Sequence, residues 1–149
     1  MTAAALILTE PLVDRRKEQA YAVLTAPLLL ATADGALDPL SRTRLSHYCS
    51  SCAVFNDFSD AEIHQLIDDV VDRIRENGVR HSFVKARRSM ASSLREDSLS
   101  FAIRLTLVDD KTEAQCAGMI ADMAKLLRIS ADRLSMLRDM SRILQAGPV

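Results

Sequence analysis

The stretch SDAEIHQLIDDVVDRIRE, residues 59–76, decides the fold class of this chain. It opens with Ser59-Asp60-Ala61-Glu62, a capping box in which a serine and a glutamate three residues apart satisfy free amides at a helix start. Large apolar residues then recur three and four positions apart, which places them on one face of a helix. They are Ile63, Leu66, Ile67, Val70, Val71 and Ile74. The segment is predicted to be an amphipathic helix that reaches about Glu76 and buries one face in a core.

Caps and stop signals divide the rest of the chain into further helices. Asp34-Gly35 and Asn77-Gly78 are typical of helix ends, and Thr112-Glu113-Ala114-Gln115 is a second capping box. No alternating strand pattern competes with them, so the predicted fold class is all-α. The other expected helices cover about 14–33, 38–54 (capped by Asp38-Pro39), 80–94, 96–108, 112–127, and from Ser130 to a stop at Gly147-Pro148.

Pro27 lies inside the first expected helix. Proline has no amide hydrogen, so the carbonyl of Val23 loses its usual helical donor. The sequence therefore predicts either a kink at this point or a helix that begins late.

The composition is that of one globular domain built on an aliphatic core. The chain has 149 residues, of which 48% are hydrophobic and 4% aromatic, and it has no tryptophan. Leu, Ile, Val, Ala and Met suit helix-on-helix packing, whereas strands favour β-branched and aromatic residues. The net charge of −1 gives no reason to expect nucleic acid or an anionic membrane as a partner.

The sequence favours a cytoplasmic location. The N-terminus is apolar but has no basic segment before its first charge at Glu10, so we expect no secretory signal. The longest apolar stretch, about 26–33, is far below the roughly 20 residues that span a bilayer. Three cysteines without disulfide-like spacing are typical of reduced thiols.

The two halves of the chain repeat. Ala33-Asp34-Gly35-Ala36-Leu37-Asp38 aligns with Val108-Asp109-Asp110-Lys111-Thr112-Glu113, and residues 58–63 align with 129–134. The predicted architecture is one domain over 1–149, a bundle of six to seven helices. Its two three-helix repeats, about 14–76 and 95–145, are joined by residues 77–94 and related by a pseudo-two-fold axis, since neither unit is large enough to bury its apolar face alone.

The turn at 33–38 resembles the tellurite-resistance TerB-like family. Members carry a repeated Ala-Asp-Gly-x-Ile/Leu turn, an acidic residue early in the next helix and a later Leu-Gly-Ile/Leu-Ser-like turn, which here appears as Leu126-Leu127-Arg128-Ile129-Ser130. The resemblance covers about residues 21–144. It implies an internally repeated all-helical bundle, metal binding through clustered acids, and a place in stress-response complexes that are often near the membrane. Ser41 and Cys116 stand where the family pattern has a helix glutamate.

A set of carboxylates around the two repeated turns is the candidate metal site. If the two-fold brings the turns together, their oxygens would suit a hard divalent cation such as Ca²⁺ or Mg²⁺. The alternative is that Asp38 caps a helix and the other acids lie at helix termini, where negative charge is favourable. The set is Asp34, Asp38, Asp109, Asp110 and Glu113.

Three other patterns have a structural and a functional interpretation. Cys49 and Cys52, with His47, form H-x-C-x-x-C, but they fall on an apolar stripe and are interpreted as core residues rather than a redox or zinc pair. Four methionines are expected to fill gaps in the core, the alternative being an adaptable surface that binds a partner. The apolar stripe of the last helix is likewise expected in the core. The basic segment 80–88 is expected to pair with upstream acids rather than with the phosphates of a nucleic acid. The methionines are Met119, Met123, Met136 and Met140. The apolar residues of the last helix are Leu134, Leu137, Met140, Ile143 and Leu144, and the upstream acids are Asp68, Asp69, Asp72 and Glu76.

No pattern of a nucleophile with its base, or of a Gly-rich phosphate loop, stands out, so we interpret the protein as non-enzymatic. The leading hypothesis is a TerB-like helical interaction module that acts in a stress (tellurite) response and binds a protein partner or forms a homo-oligomer. The alternative is a divalent-cation-binding protein that uses the acidic turns. A thiol or zinc protein built on Cys49 and Cys52 is a third hypothesis.

Overall fold

A computed structural model describes the backbone of residues 3–146 and the side chains of residues 15–146. Over that range the chain forms seven α-helices, one short 3-10 helix (Ala53–Phe55) and no strand, which confirms the predicted all-α bundle. The helices are α1 (Ala3–Ala31), α2 (Pro39–Cys49), α3 (Asp60–Asn77), α4 (Val79–Arg88), α5 (Ser92–Thr106), α6 (Asp110–Leu126) and α7 (Ala131–Ala146).

Helices α1 and α5 form the centre of the bundle. They pack on each other more extensively than any other pair, through fully buried side chains such as Leu24, Leu28 and Leu99. Helices α3 and α4 cover α1, helices α6 and α7 cover α5, and α2 lies against α3 and α5. The buried apolar residues form one continuous core.

The packing pattern repeats between the two halves of the chain. Helix α1 packs on α3 as α5 packs on α7, and α1 meets α6 as α5 meets α2. Helix α4 lies between the halves in the chain, where the sequence predicts a connecting segment. The pseudo-two-fold rotation itself stays a prediction.

Three of the predicted caps are present. The Ser59 amide donates to Glu62 Oε1 at 3.0 Å, and the Glu62 amide donates to Ser59 Oγ at 3.2 Å, so the capping box is complete. Asp38 accepts from the Ser41 amide at 3.4 Å, and Ser130 accepts from the Arg133 amide at 3.2 Å. Each side chain satisfies an amide that has no partner inside its own helix.

The predicted capping box at Thr112 is wrong. Helix α6 begins at Asp110, because the Asp109 side chain accepts from the Thr112 amide at 2.7 Å and acts as the cap. The box therefore lies inside the first turn, where Glu113 is free to make another contact.

Several helix bounds also differ from the prediction. Helix α4 ends at Arg88 rather than near Leu94, and α5 begins at Ser92 rather than at Glu96, because the helical pattern breaks at residues 89–91. Helix α2 ends at Cys49 rather than near Val54, because the Ser50 and Ser51 hydroxyls donate to the carbonyls of His47 and Tyr48 and compete with further helical bonds. Helix α1 runs over Ala3–Ala31 rather than 14–33. The predicted stop at Gly147-Pro148 lies outside the described residues.

Helix α1 continues through Pro27, so the predicted late start is wrong. Pro27 is fully buried, and the Val23 carbonyl that it leaves without an amide donor accepts from Ser98 Oγ on α5 at 2.7 Å. Ser98 is itself fully buried. A side chain of the neighbouring central helix therefore replaces the helical hydrogen bond that proline removes.

The turn between α6 and α7 has the geometry of a Schellman motif. The Ile129 amide donates to the Ala124 carbonyl at 2.8 Å and the Arg128 amide to the Lys125 carbonyl at 3.0 Å. Arg128 has a φ of 60°, a left-handed conformation that usually selects glycine. The turn thus holds a non-glycine residue in a strained backbone conformation.

We predict that Ser98→Ala lowers the free energy of unfolding by about 1–2 kcal/mol, because a buried carbonyl loses its side-chain donor. Adding Pro27→Ala should recover most of that loss, since the new amide can donate to Val23. Denaturant unfolding measures both effects, with the exposed Ser93→Ala as control. If Pro27→Ala changes stability equally in both backgrounds, the Ser98 bond does not replace the helical one.

Candidate functional site

Three of the five candidate metal-binding acids serve as helix caps or as an ion-pair partner. Asp38 and Asp109 accept helix amides, as described above, and Glu113 accepts from Arg142 Nη2 on α7 at 2.6 Å. Asp110 lies beside Glu113 in a groove between α6 and α7. Asp34 is exposed, close enough to Cys116 for its charge to add to the burial that raises the pKa of that thiol.

The structure does not gather these acids around one point. Among residues 15–146, no group of three or more His, Cys, Asp or Glu side chains has an arrangement that could hold a metal ion. The Thr112 amide and hydroxyl hold the pKa of Asp109 below its usual range, because both hydrogen bonds favour the charged carboxylate.

Cys49 and Cys52 are core residues, as the sequence predicts. Both are buried, and burial raises the pKa of Cys49 to about 12 and also raises that of Cys52. The Cys52 thiol donates to Asp97 Oδ2 at 3.8 Å, next to a carboxylate that disfavours a thiolate. A reactive cysteine needs the opposite surroundings, since the thiolate is the nucleophile.

A shallow groove of about 400 Å³ runs past Cys52 between α2, α5 and α7. His47, Asp97 and Arg104 give it polar walls, and Leu144 of α7 forms its apolar edge. The groove thus joins the surface of α7 to the end of α2.

Polar contacts fix α7 along this groove. The Arg104 guanidinium stacks on the Tyr48 ring at 4.0 Å, and the Tyr48 hydroxyl donates to Gln145 Oε1 at 3.3 Å. At the other end of α7, Arg133 forms a two-pronged ion pair with Glu96, with N···O distances of 2.9 and 2.6 Å. The helix is held at both ends, so its outer surface has a defined orientation.

That outer surface carries a row of large apolar side chains, and here the predicted core is wrong. Leu134 and Leu137 are buried as expected, but Met140, Ile143 and Leu144 are not. The row, called the α7 stripe below, consists of Met136, Met140, Ile143 and Leu144, whose exposed fractions are 51%, 50%, 73% and 56%.

A serine pair explains which face of α7 is buried. Ser141 is fully buried and its hydroxyl lies 3.2 Å from that of Ser100 on α5. These small residues allow α5 and α7 to approach closely on the arc of Leu134, Leu137 and Ser141. At about 100° per residue, the α7 stripe lies to the side of that arc.

The methionine prediction is also mostly wrong. Met123 is buried, but Met119, Met136 and Met140 are exposed by more than a third of their surface. Flexible, polarizable thioethers at a surface adapt to different partner shapes.

The predicted pairing of the basic segment with upstream acids is wrong. Asp68 pairs with Arg42, and Asp69 accepts from the Tyr21 hydroxyl at 2.9 Å. No ion pair of the described side chains involves α4, and Arg87 instead donates to the Leu126 carbonyl at 3.3 Å. Gly78, at a φ of 86°, breaks the helix between the acidic and basic segments, so the two charge patterns do not share one helix face.

Comparison with known proteins finds no matching family model, no similar curated protein and no similar solved structure. Among the described helices, none has the length and apolar character needed to cross a membrane.

We predict that a thiol reagent labels Cys116 first, because this side chain is only partly buried. Cys49 and Cys52 should react at least tenfold more slowly until the protein unfolds, since burial keeps them protonated. Mass spectrometry of labelled peptides over time separates the three rates, and Cys116→Ser is the control. Equal native-state rates would contradict the packing described here.

We predict that the Asp109 cap makes a pH-dependent contribution to stability. Its folded-state pKa is lowered, so the contribution is present above the usual aspartate pKa of about 4 and is lost as the pH falls through the lowered value. Asp109→Asn keeps a capping oxygen but does not titrate. The Tm of this variant should fall less than that of the wild type between pH 5 and pH 2; parallel curves would contradict the assignment.

Proposed function

We propose that this chain is a non-enzymatic helical interaction module of the TerB-like type, and that the α7 stripe is the surface that binds a protein partner. The observation that carries the proposal is the exposure of four large apolar side chains along one folded helix. Patches of this kind on soluble proteins usually mark interaction sites.

The free energy gained by burying the stripe is large enough for the centre of an interface. Burying one such side chain completely stabilises by about 1.5–3 kcal/mol. Because the four residues are already roughly half buried, covering the stripe contributes on the order of 4 kcal/mol. That is enough for the apolar centre of an interface, with the polar walls of the adjoining groove as its rim.

The fixed position of α7 also supports binding. The Glu96–Arg133 pair and the Tyr48–Arg104–Gln145 contacts hold the helix on α5 from both ends. A partner that binds the stripe therefore does not have to order α7 first, which lowers the entropic cost of association.

Two further observations support the TerB-like assignment. The helix contacts of the first half recur in the second half, as an internally repeated bundle requires. Gly35 has a φ of 141° in the Ala-Asp-Gly turn, and Arg128 has a φ of 60° where the family pattern has glycine. The turns on which the resemblance depends thus have backbones that favour glycine.

The side-chain chemistry supports binding rather than catalysis. The raised pKa of Cys49 and of Cys52 leaves both thiols protonated at neutral pH, so they are poor nucleophiles. The cation-binding alternative gains no comparable support, because Asp38, Asp109 and Glu113 already bond to helix amides or to Arg142.

The test compares a stripe variant with a control variant that places lysine at an exposed apolar position elsewhere. Met140→Lys with Ile143→Lys places charge in the stripe, whereas Val79→Lys changes an exposed apolar residue on α4. All chains should have the same helix content, measured by far-UV circular dichroism. We expect proteins that co-purify with the wild type and with the Val79 variant to fall at least tenfold with the stripe variant, measured by quantitative mass spectrometry.

A cellular readout addresses the stress role. In cells that lack the gene, tellurite tolerance should return with the wild-type and Val79→Lys chains but not with the stripe variant. Co-purification that is identical for all three chains, or full tolerance with the stripe variant, would contradict the proposal.

A further inference from the structure

The first residues of α1 form an apolar arm. Residues 3–13 read AAALILTEPLV, in which eight of eleven residues are Ala, Leu, Ile or Val and only Glu10 is charged. The backbone of this arm is helical and continuous with the rest of α1. A helix of this composition needs an apolar surface to cover it.

The arm extends from the part of α1 that is packed in the bundle. Ala20 is the first of a continuous run of buried residues, and Arg15, Arg16 and Lys17 before it are exposed. At 1.5 Å per residue, Val13 lies about 10 Å and Ala3 about 25 Å beyond Ala20 along the helix. Along α1, the three exposed cations therefore lie between the apolar segment and the first buried residue.

We propose that the arm of one chain covers the α7 stripe of a second copy, so that two chains exchange arms in a symmetric dimer. This inference rests on the proposed function, because it takes the stripe as a binding surface, and it names the occupant of that surface. Each copy supplies one arm and one stripe. In a two-fold arrangement each arm covers the stripe of the other copy, so no arm or stripe is left over to bind a third chain.

The dimensions of the two surfaces agree. The eleven residues of the arm extend about 16 Å as a helix, and the stripe from Met136 to Leu144 extends about 12 Å. One helix laid along another buries apolar side chains at three- and four-residue spacing. The arm thus covers the whole stripe with about one turn to spare.

The charges at the edges of the two surfaces are complementary. Asp132 and Asp139 lie two helical turns apart on α7, on the side of the stripe next to Ile143. Asp139 is 73% exposed and has only a 3.4 Å contact with Arg142, and Asp132 has no ion pair among residues 15–146. Arg15 and Lys17, which follow the arm, have no ion pair in the same range and supply the opposite charge.

The test begins with the mass of the purified full-length chain in solution, measured by light scattering after gel filtration. The wild type is expected at twice the chain mass of 16.4 kDa. Leu8→Glu with Leu12→Glu in the arm, and Ile143→Lys in the stripe, should each give a monomer. Thr9→Glu, a polar position in the same arm, is the control and should stay dimeric.

Mixing the two monomeric variants is the decisive step. The arm variant retains an intact stripe and the stripe variant retains an intact arm, so one arm–stripe contact can form between them. A 1:1 complex should therefore appear on mixing, weaker than the wild-type dimer, whereas neither variant dimerises alone. This rescue also shows that both variants are folded.

Two results would overturn the inference. A monomeric wild type means that no second copy covers the stripe; if stripe-dependent co-purification then persists, the proposed function stands and only the occupant is wrong. A wild-type dimer with no complex on mixing means that stripe contacts stripe, or arm contacts arm, in the dimer.

Discussion

The hydrogen bond from Ser98 to the Val23 carbonyl is the constraint on which the bundle depends. Pro27 leaves a buried acceptor in the middle of α1, and in the apolar core only a protein group can satisfy it. Ser98 meets that need and in doing so fixes the position of α5 along α1. Because every other helix packs on one or both of these two, the same bond sets the frame for the repeated contacts around them. It also explains how a proline can lie in the central helix of the fold.

The sequence predicts those features of the fold that depend on neighbouring residues. The Ser59–Glu62 capping box and the spacing of Ile63 to Ile74 act within one helix, and both are correct. Contacts between residues that are distant in the sequence cannot be predicted in this way. Ser98 lies 75 residues from Val23, and nothing in the local pattern around either residue identifies the other. The end of α2 was missed for a local reason, because two serine hydroxyls compete with the helix at Ser50 and Ser51.

The exposure of the α7 stripe does not follow from the sequence, because a helix with a wide apolar arc does not reveal which part of the arc is buried. From Ile143 round to Leu134 the apolar residues of α7 span about 180° at 100° per residue, whereas one neighbouring helix covers about 100°. The sequence alone therefore shows that the apolar arc of α7 is too wide for one neighbouring helix to bury completely. The choice between the two halves of the arc depends on Ser100 and Ser141, whose small size lets α5 approach on one side only. The capping role of Asp38 can be predicted from the sequence, because Asp38 lies only three residues from the Ser41 amide that it accepts from.

The left-handed Arg128 has a consequence for how the native structure opens. Helix α7 is joined to α6 by a strained turn and packs mainly on α5, so its detachment relieves strain and disturbs α6 little. The α1–α5 pair, by contrast, cannot separate without exposing the Val23 carbonyl. The bundle therefore has a hierarchy of cooperative units, in which α7 is the first to exchange its amide hydrogens with solvent and the central pair the last.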